Sequence, residues 1–175
     1  MRNSPIKPGD FVLIDLWCKK NTAQSVYADI TRVAVAASQP IPKQQEIFLI
    51  VKQARDAATT FLKNRISQGQ PIRGWEVDDV ARQTIIEKGY GDYFVHRTGH
   101  NIGESDHGNG ANIDNFETED RRFLLPGTCF SIEPGIYLPN EFGVRLEYDI
   151  YLPKEGKKIL ITGGIQEKIV CLLKN

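Results

Sequence analysis

An α+β fold is what the sequence predicts, and three observations predict it. Apolar, β-compatible residues fill 11–18 and 26–36. Apolar residues recur at three- and four-residue spacing through 44–68 and again through 75–88, and from Phe94 onward Gly and Pro cut the chain into short apolar stretches. Strands, then helices, then strands argue for segregated helices and mainly antiparallel pairing, not a doubly wound parallel sheet. No low-complexity segment, internal repeat or linker divides the chain, and 175 residues suffice for one domain with a full core.

The first strand opens after the turn residues Pro8, Gly9 and Asp10 and runs from Phe11 to Cys18. Lys19 to Gln24 is polar and turn-like, so Val26 to Ala36 reads as the hairpin partner. Beyond Pro40 and Pro42, Ile47, Ile50, Val51, Ala54, Ala58, Phe61 and Leu62 mark one face of a helix over 44–68. Val77, Val80, Ala81, Ile85 and Ile86 do the same over Trp75 to Lys88, where Gly89 and Gly91 end the helix. Later strands are expected at Thr128–Ile132, Val144–Leu152, Lys158–Ile161 and Glu167–Leu172.

Lys plus Arg is 22 and Asp plus Glu is 22, so no net field draws in nucleic acid or an anionic membrane surface, and specificity must come from a local site. Cys18, Cys129 and Cys171 are far apart, form no Cys-x-x-Cys pair and sit in apolar strand-like stretches. Buried thiols in a reducing compartment are expected. The opening residues from Met1 have no apolar leader, no stretch reaches membrane-span length, and a cytoplasmic protein is expected. Gly99 to Gly110 lacks the Lys-Ser or Lys-Thr of a phosphate loop.

Chemistry enters where acids occupy apolar strands. Asp15 lies within Phe-Val-Leu-Ile-Asp-Leu-Trp and Asp29 within Val-Tyr-Ala-Asp-Ile-Thr-Arg, and burying an unpaired charge is costly. A hairpin brings the two together, and facing carboxylates repel unless protonated or bridged by a cation. Alternatively each Asp ends a strand or pairs with a cation such as Arg32. His96, His100 and His107, all the histidines of the chain, fall within His-Arg-Thr-Gly-His-Asn-Ile-Gly and the few residues after it. The segment lacks the Glu of a helical zinc motif and carries Gly99 and Gly103, so an irregular or strand setting fits. Singly, each His reads as well as a structural or surface residue. Glu133 follows an apolar strand, and Glu147 sits inside Val-Arg-Leu-Glu-Tyr-Asp-Ile; a solvated strand end for the first and an outward pair with Arg145 for the second are the plainer readings. Together the four carboxylates and one imidazole form an oxygen-rich set suited to a pair of divalent ions of the manganese, iron, cobalt or zinc kind. Such ions, about 3.5 to 4 Å apart, share a water, lower its pKa and clamp an oxyanion, which implies hydrolysis.

These motifs, in this order from Leu-Ile-Asp through Ser-Ile-Glu-Pro-Gly-Ile-Tyr to Gly-Val-Arg-Leu-Glu, resemble the pita-bread metallopeptidases, which include aminopeptidase P, prolidase and methionine aminopeptidase. The resemblance spans about Gly9 to Leu152. It implies a pita-bread fold lacking much of its N-terminal half, with residues 1–175 as the C-terminal portion of the catalytic domain. Asp29 and Glu147 would bridge two metals, manganese being the implied ion, with Asp15 completing one and His100 with Glu133 the other. Glu133 would also accept the proton of the attacking water, His96 and His107 would contact substrate or oxyanion, and Arg145 would support the acids. The presence of His96 is more like the proline-peptidase branch, so a small Xaa-Pro peptide is the implied substrate and a homo-oligomer the implied assembly.

Three departures from the family pattern bear on substrate rather than on metal. The Asp15 strand continues Leu-Trp-Cys-Lys-Lys instead of Asp-x-Gly with a longer loop to Asp29, Asn101 stands where Gly is frequent, and Gly108 follows His107 where an acid is common. A non-catalytic binding module and a metal-free hydrolase resembling creatinase are the competing functions. Both would leave several buried acids uncompensated.

Overall fold

The computed structural model describes residues 4–155 and 157–174, so Met1 to Asn3, part of the stretch read for a leader, lie outside the described residues. Strand β1 (Phe11–Cys18) pairs antiparallel with β2 (Ala28–Val35) in unbroken register, from Phe11 opposite Val35 to Cys18 opposite Ala28. Along β2 burial alternates: Asp29, Thr31, Val33 and Val35 face inward and the residues between them do not. The expected hairpin is present, and its inward face carries an acid at the end nearest the loop.

Helix α1 (Pro42–Ser67) begins with Pro at its first turn, and the Gln44 side chain reaches back to accept the Ile41 N–H at 3.0 Å. Helix α2 (Gly74–Ile86) starts the same way, Glu76 accepting the Arg73 N–H at 2.7 Å. Gly89, at φ +82°, turns the chain away. The helices pack along each other, and α1 also lies against the strands. Ile47, Phe48, Val51 and Leu62 from α1 join Val77 and Ile85 from α2 and Phe130, Ile136 and Ile150 from the sheets in one buried core.

Past a 3-10 turn at Gly91–Tyr93 come β3 (Asn101–Ile102), β4 (Cys129–Ile132), β5 (Gly135–Tyr137), β6 (Gly143–Arg145), β7 (Tyr148–Tyr151), β8 (Leu160–Thr162) and β9 (Val170–Cys171). They form a four-stranded sheet in the order β3-β4-β7-β8 and a two-stranded β5-β6 ribbon, while β9 adds to β2 in parallel and makes the sheet β1-β2-β9. The remaining pairings are antiparallel, as the segregated order predicts.

Two expectations need correction. The stretch expected as one strand over Val144–Leu152 is two: β6 pairs with β5 and β7 with β4, so the chain changes sheet at Leu146 and Glu147, and both are buried. Strict alternation cannot bury neighbouring residues on one face, which is why Glu147 belongs to a junction and not to a strand interior. The cysteines are not uniformly buried. Cys18 and Cys171 are exposed because each ends an outer strand of the β1-β2-β9 sheet, and only Cys129, between β3 and β7, is partly covered, its thiol pushed up to about 12 by burial. Among the described residues no helix is long and apolar enough to cross a membrane.

Candidate metal centre

Pairing of β1 with β2 sets Asp15 opposite Thr31 and Trp17 opposite Asp29, so these four side chains share one face of the hairpin. His100 lies just before β3, Glu133 just after β4, and Glu147 at the β6–β7 junction. The three strand ends converge beneath the hairpin. One ligand atom each from Asp29, His100 and Glu147 falls within 4.8 Å of the others, and all three residues are buried. His100 Nε2 stands 3.4 Å from Asp29 Oδ2 and 3.4 Å from Glu133 Oε1. Its Nδ1 is 3.3 Å from the Asn101 carbonyl, which only accepts, so Nδ1 carries the proton in the neutral ring and Nε2 faces the Asp29 and Glu133 carboxyls.

Hydrogen bonds hold the acids from behind. Ser131 Oγ donates to Glu133 Oε1 at 2.9 Å while accepting the His100 N–H at 3.0 Å, which ties two candidate ligands to one hydroxyl. Thr31 Oγ1 donates to Glu147 Oε2 at 2.5 Å and accepts from Arg145 Nε at 2.8 Å. Arg145 pairs with Asp15 and lies 3.7 Å from Glu133. Arg32 donates to the backbone carbonyls of Glu147 and Gly163, not to either Asp. Of the plain pairings proposed from the sequence, Asp15 does meet a cation, which is Arg145 and not Arg32, whereas Glu147 forms no ion pair with Arg145 and Asp29 none with Arg32.

What remains is uncompensated charge. Among the described residues, Oδ1 of Asp29, Oε1 of Glu147 and Oδ1 of Asp149 are buried with no hydrogen-bond partner. Burial, reinforced by the Glu133 carboxylate, pushes Glu147 up to about 9. Burial likewise raises Glu133 above the usual carboxylate range and takes Asp149 up to about 7. For His100, burial alone would lower the pKa, but the Asp29 and Glu133 carboxylates outweigh it and hold the ring above its ordinary value. Buried carboxyl oxygens without a partner, clustered with an imidazole nitrogen, are the donor set a divalent cation requires, so the residues present fit such an ion.

These residues floor an open cleft of about 370 Å³ lined also by Asp15, Trp17, His96, Arg97, Asp106, His107, Glu117 and Arg145. Glu147 lies below the lining. Asp15 is in the cleft, with its carboxylate engaged by Arg145 instead of by the buried group. His107 is 66% exposed on its side chain and packs against His100, ring centroids 4.2 Å apart and planes tilted by 45°. His96 is more enclosed: Nδ1 donates to the Arg97 carbonyl at 2.7 Å, Nε2 accepts from the Tyr137 hydroxyl at 2.8 Å, and burial lowers its pKa, so the ring is neutral with both nitrogens occupied.

Asp149, Asp106 and Tyr137 were missed in the sequence. Asp149 carries the same signal as Asp15, an acid in an apolar stretch, and its Oδ2 accepts the Asp29 N–H at 3.1 Å. Asp106 adjoins His107 and faces the cleft. Tyr137 had no distinguishing signal, since its role depends on the β5–β6 ribbon placing its hydroxyl beside His96.

Comparison with known proteins agrees with this geometry. The sequence profile of metallopeptidase family M24 matches residues 1–154. An Xaa-Pro dipeptidase of Lactobacillus helveticus is 37% identical over 166 residues, which is 94% of this chain and 41% of that protein. Among solved structures, the recombinant prolidase of Thermococcus sibiricus superposes with a TM-score of 0.79 at 31% identity, covering 98% of this chain and 43% of that one. The X-Pro aminopeptidase of Thermotoga maritima gives 0.79 at 30% identity over 95% and 43%. The chain thus spans about two fifths of the length of the relatives it matches. With the profile covering most of its length and the acid–imidazole cluster built on strands that superpose on prolidases, this chain belongs to metallopeptidase family M24 and has its pita-bread fold, on the side of the proline peptidases.

Proposed function

We propose that residues 1–175 are the C-terminal portion of a pita-bread catalytic domain and carry the dinuclear metal site of a peptidase that hydrolyses small peptides at Xaa-Pro bonds. The observation that carries the reading is the buried cluster of Asp29, His100 and Glu147, in which each of the two acids keeps one buried oxygen without a hydrogen-bond partner among the described residues. Asp15, Asp29, His100, Glu133 and Glu147 hold two divalent ions, manganese first among those that suit oxygen and imidazole donors. When bound, such ions make a nucleophile of water at neutral pH and polarise the scissile carbonyl.

The chain's own residues do the rest. Glu133, oriented by Ser131 and flanked by Arg145, takes the proton of the attacking water, and its raised pKa suits a general base working near neutrality. Arg145 fixes the carboxylates of Asp15 and Glu133 relative to each other. His107, open to solvent above His100, meets the developing oxyanion. His96, with its nitrogens occupied, offers its ring as a wall for the substrate. A cytoplasmic enzyme that forms homo-oligomers completes the reading.

Dialysis against manganese followed by elemental analysis tests it. Two ions per chain are expected, with loss of metal in Asp29→Ala and Glu147→Ala. A content near zero that neither substitution changes would overturn the reading in favour of a metal-free binding module. Hydrolysis of Xaa-Pro dipeptides and Xaa-Pro-Yaa tripeptides by the full protein, abolished by chelation, tests the substrate class.

A further inference from the structure

His107 reaches over the His100 ring from an exposed loop, yet its own imidazole has no close hydrogen bond, the nearest charged group being Asp106 at 4.0 Å. The backbone around it holds it in place, and that backbone is fastened to Asn101. The Asn101 carbonyl accepts the Gly108 N–H at 2.8 Å and faces His100 Nδ1 at 3.3 Å, so one oxygen holds both the residue after His107 and the ring beneath it. Its side-chain Oδ1 accepts the Gly110 N–H at 3.0 Å, and Nδ2 donates to the Cys129 carbonyl of β4 at 2.9 Å. Asn101 is itself 7% exposed and fixed by the β3–β4 pairing opposite Phe130.

The same side chain dictates the two glycines. A Cβ at Gly108 would come within 2.3 Å of Asn101 Oδ1, and one at Gly110 within 2.5 Å of Asn101 Nδ2. At Gly110 the three nearest atoms all belong to the Asn101 amide. Neither glycine has a positive φ, so neither is needed for backbone conformation; the Asn101 amide takes the space of a side chain at 110, and at 108 it does so together with the Gly103 backbone nitrogen at 3.3 Å.

We propose that Asn101, with the glycines it requires at 108 and 110, is a positioning residue that clasps the 103–110 loop and holds His107 against the metal-binding His100. Its effect on turnover rests on the peptidase reading; the clasp itself does not. Amide hydrogen exchange, metal titration and steady-state kinetics on the full protein test the two separately. In Asn101→Ala the Gly110 amide, which loses its side-chain acceptor, should exchange at least tenfold faster, while the Gly108 amide, bonded to the backbone carbonyl, and β4 and β7 keep their protection. Manganese affinity should change by less than about threefold, whereas kcat falls about ten- to a hundredfold with KM little altered, the scale of a catalytic group displaced by about an ångström. Gly110→Ala alone should lower kcat similarly, and Asn101→Ala with Gly110→Ala together should cost no more than the worse single change, since the clash is gone. Asn101→Asp, which keeps the acceptor for Gly110, should retain more activity than Asn101→Ala and serves if the latter does not fold. Unchanged exchange at Gly110 in the Ala variant, or full additivity of the two substitutions, would overturn the clasp. If exchange and additivity behave as expected but the wild type cleaves no peptide, the peptidase reading falls and the clasp stands. A metal loss matching the activity loss would make Asn101 a support of His100 alone and overturn the assignment to His107.

Discussion

At the scale of single residues, the protonation of the buried acids leads to a pH effect opposite to that of an ordinary ion pair. Glu147 titrates at about 9 in the fold against an ordinary 4.5, and Asp149 at about 7 against 3.8, both chiefly because of burial. A group that binds its proton more tightly when folded stabilises the fold fully below its unfolded pKa and loses that contribution as pH rises through the folded value. Metal-free protein should therefore melt at progressively lower temperature between pH 5 and about 9, as scanning calorimetry would record. Saturating manganese should flatten or invert that slope, because cation and proton compete for the same oxygens, and loading near pH 7 should release protons into unbuffered solution. An unchanged slope with metal would place the cation elsewhere. His107 tests a different role, since it packs against the cluster without joining it. His107→Ala should lower kcat on an Xaa-Pro peptide about a hundredfold or more with metal content intact; unaltered turnover would assign His107 to structure. Much of this site was legible in the sequence, because an acid within or beside an apolar stretch is costly, and Asp15, Asp29, Glu133 and Glu147 each stand so. Asp149 obeys the same rule, but its place in the site depends on β7 lying alongside β4, which no local pattern shows.

Among the elements, the helices and the β1–β2 hairpin were readable because each carries its own period, and β1 was placed to the residue. The region after Phe94 was less so. Strands of two to four residues such as β3 and β5 are too short to show alternation, and they exist because partners distant in sequence supply their hydrogen bonds. The division of 144–152 into β6 and β7 is likewise a tertiary effect, settled by which strand lies alongside. Gly99 shows how tightly these short elements register. It exchanges hydrogen bonds with Ile113 at 3.1 and 3.0 Å, and a Cβ on it would lie 2.0 Å from the Ser131 carbonyl oxygen. Gly99→Ala should thus push β3 away from β4, lower stability by about 1–3 kcal/mol, and weaken metal binding by shifting His100 from Glu133. Denaturant titration and metal analysis of the variant would check both, and intact affinity would show that the strands give way without moving the ligands.

For the molecule as a whole, the outer edge of β1 is the feature with the largest consequence for behaviour in solution. Among the described residues nothing pairs with it, and Ile14, Leu16 and Trp17 are half or more exposed along it. An apolar edge strand of this kind templates pairing with another chain. The 175-residue chain by itself should self-associate at micromolar concentration in sedimentation velocity runs, and Leu16→Lys should restore a monomer; a monomeric parent chain would refute this. The route by which the ligands converge has a further implication, for the order of events in folding. Thr31 and Glu147, which share a hydrogen bond at the centre of the site, are 116 positions apart, so the pocket closes only when nearly the whole chain has been made and has come together. Cation uptake should then be the last step of refolding, lagging the change in Trp75 fluorescence that reports α2 docking, and on the ribosome the nascent chain should stay indifferent to manganese until the residues beyond Glu147 have emerged.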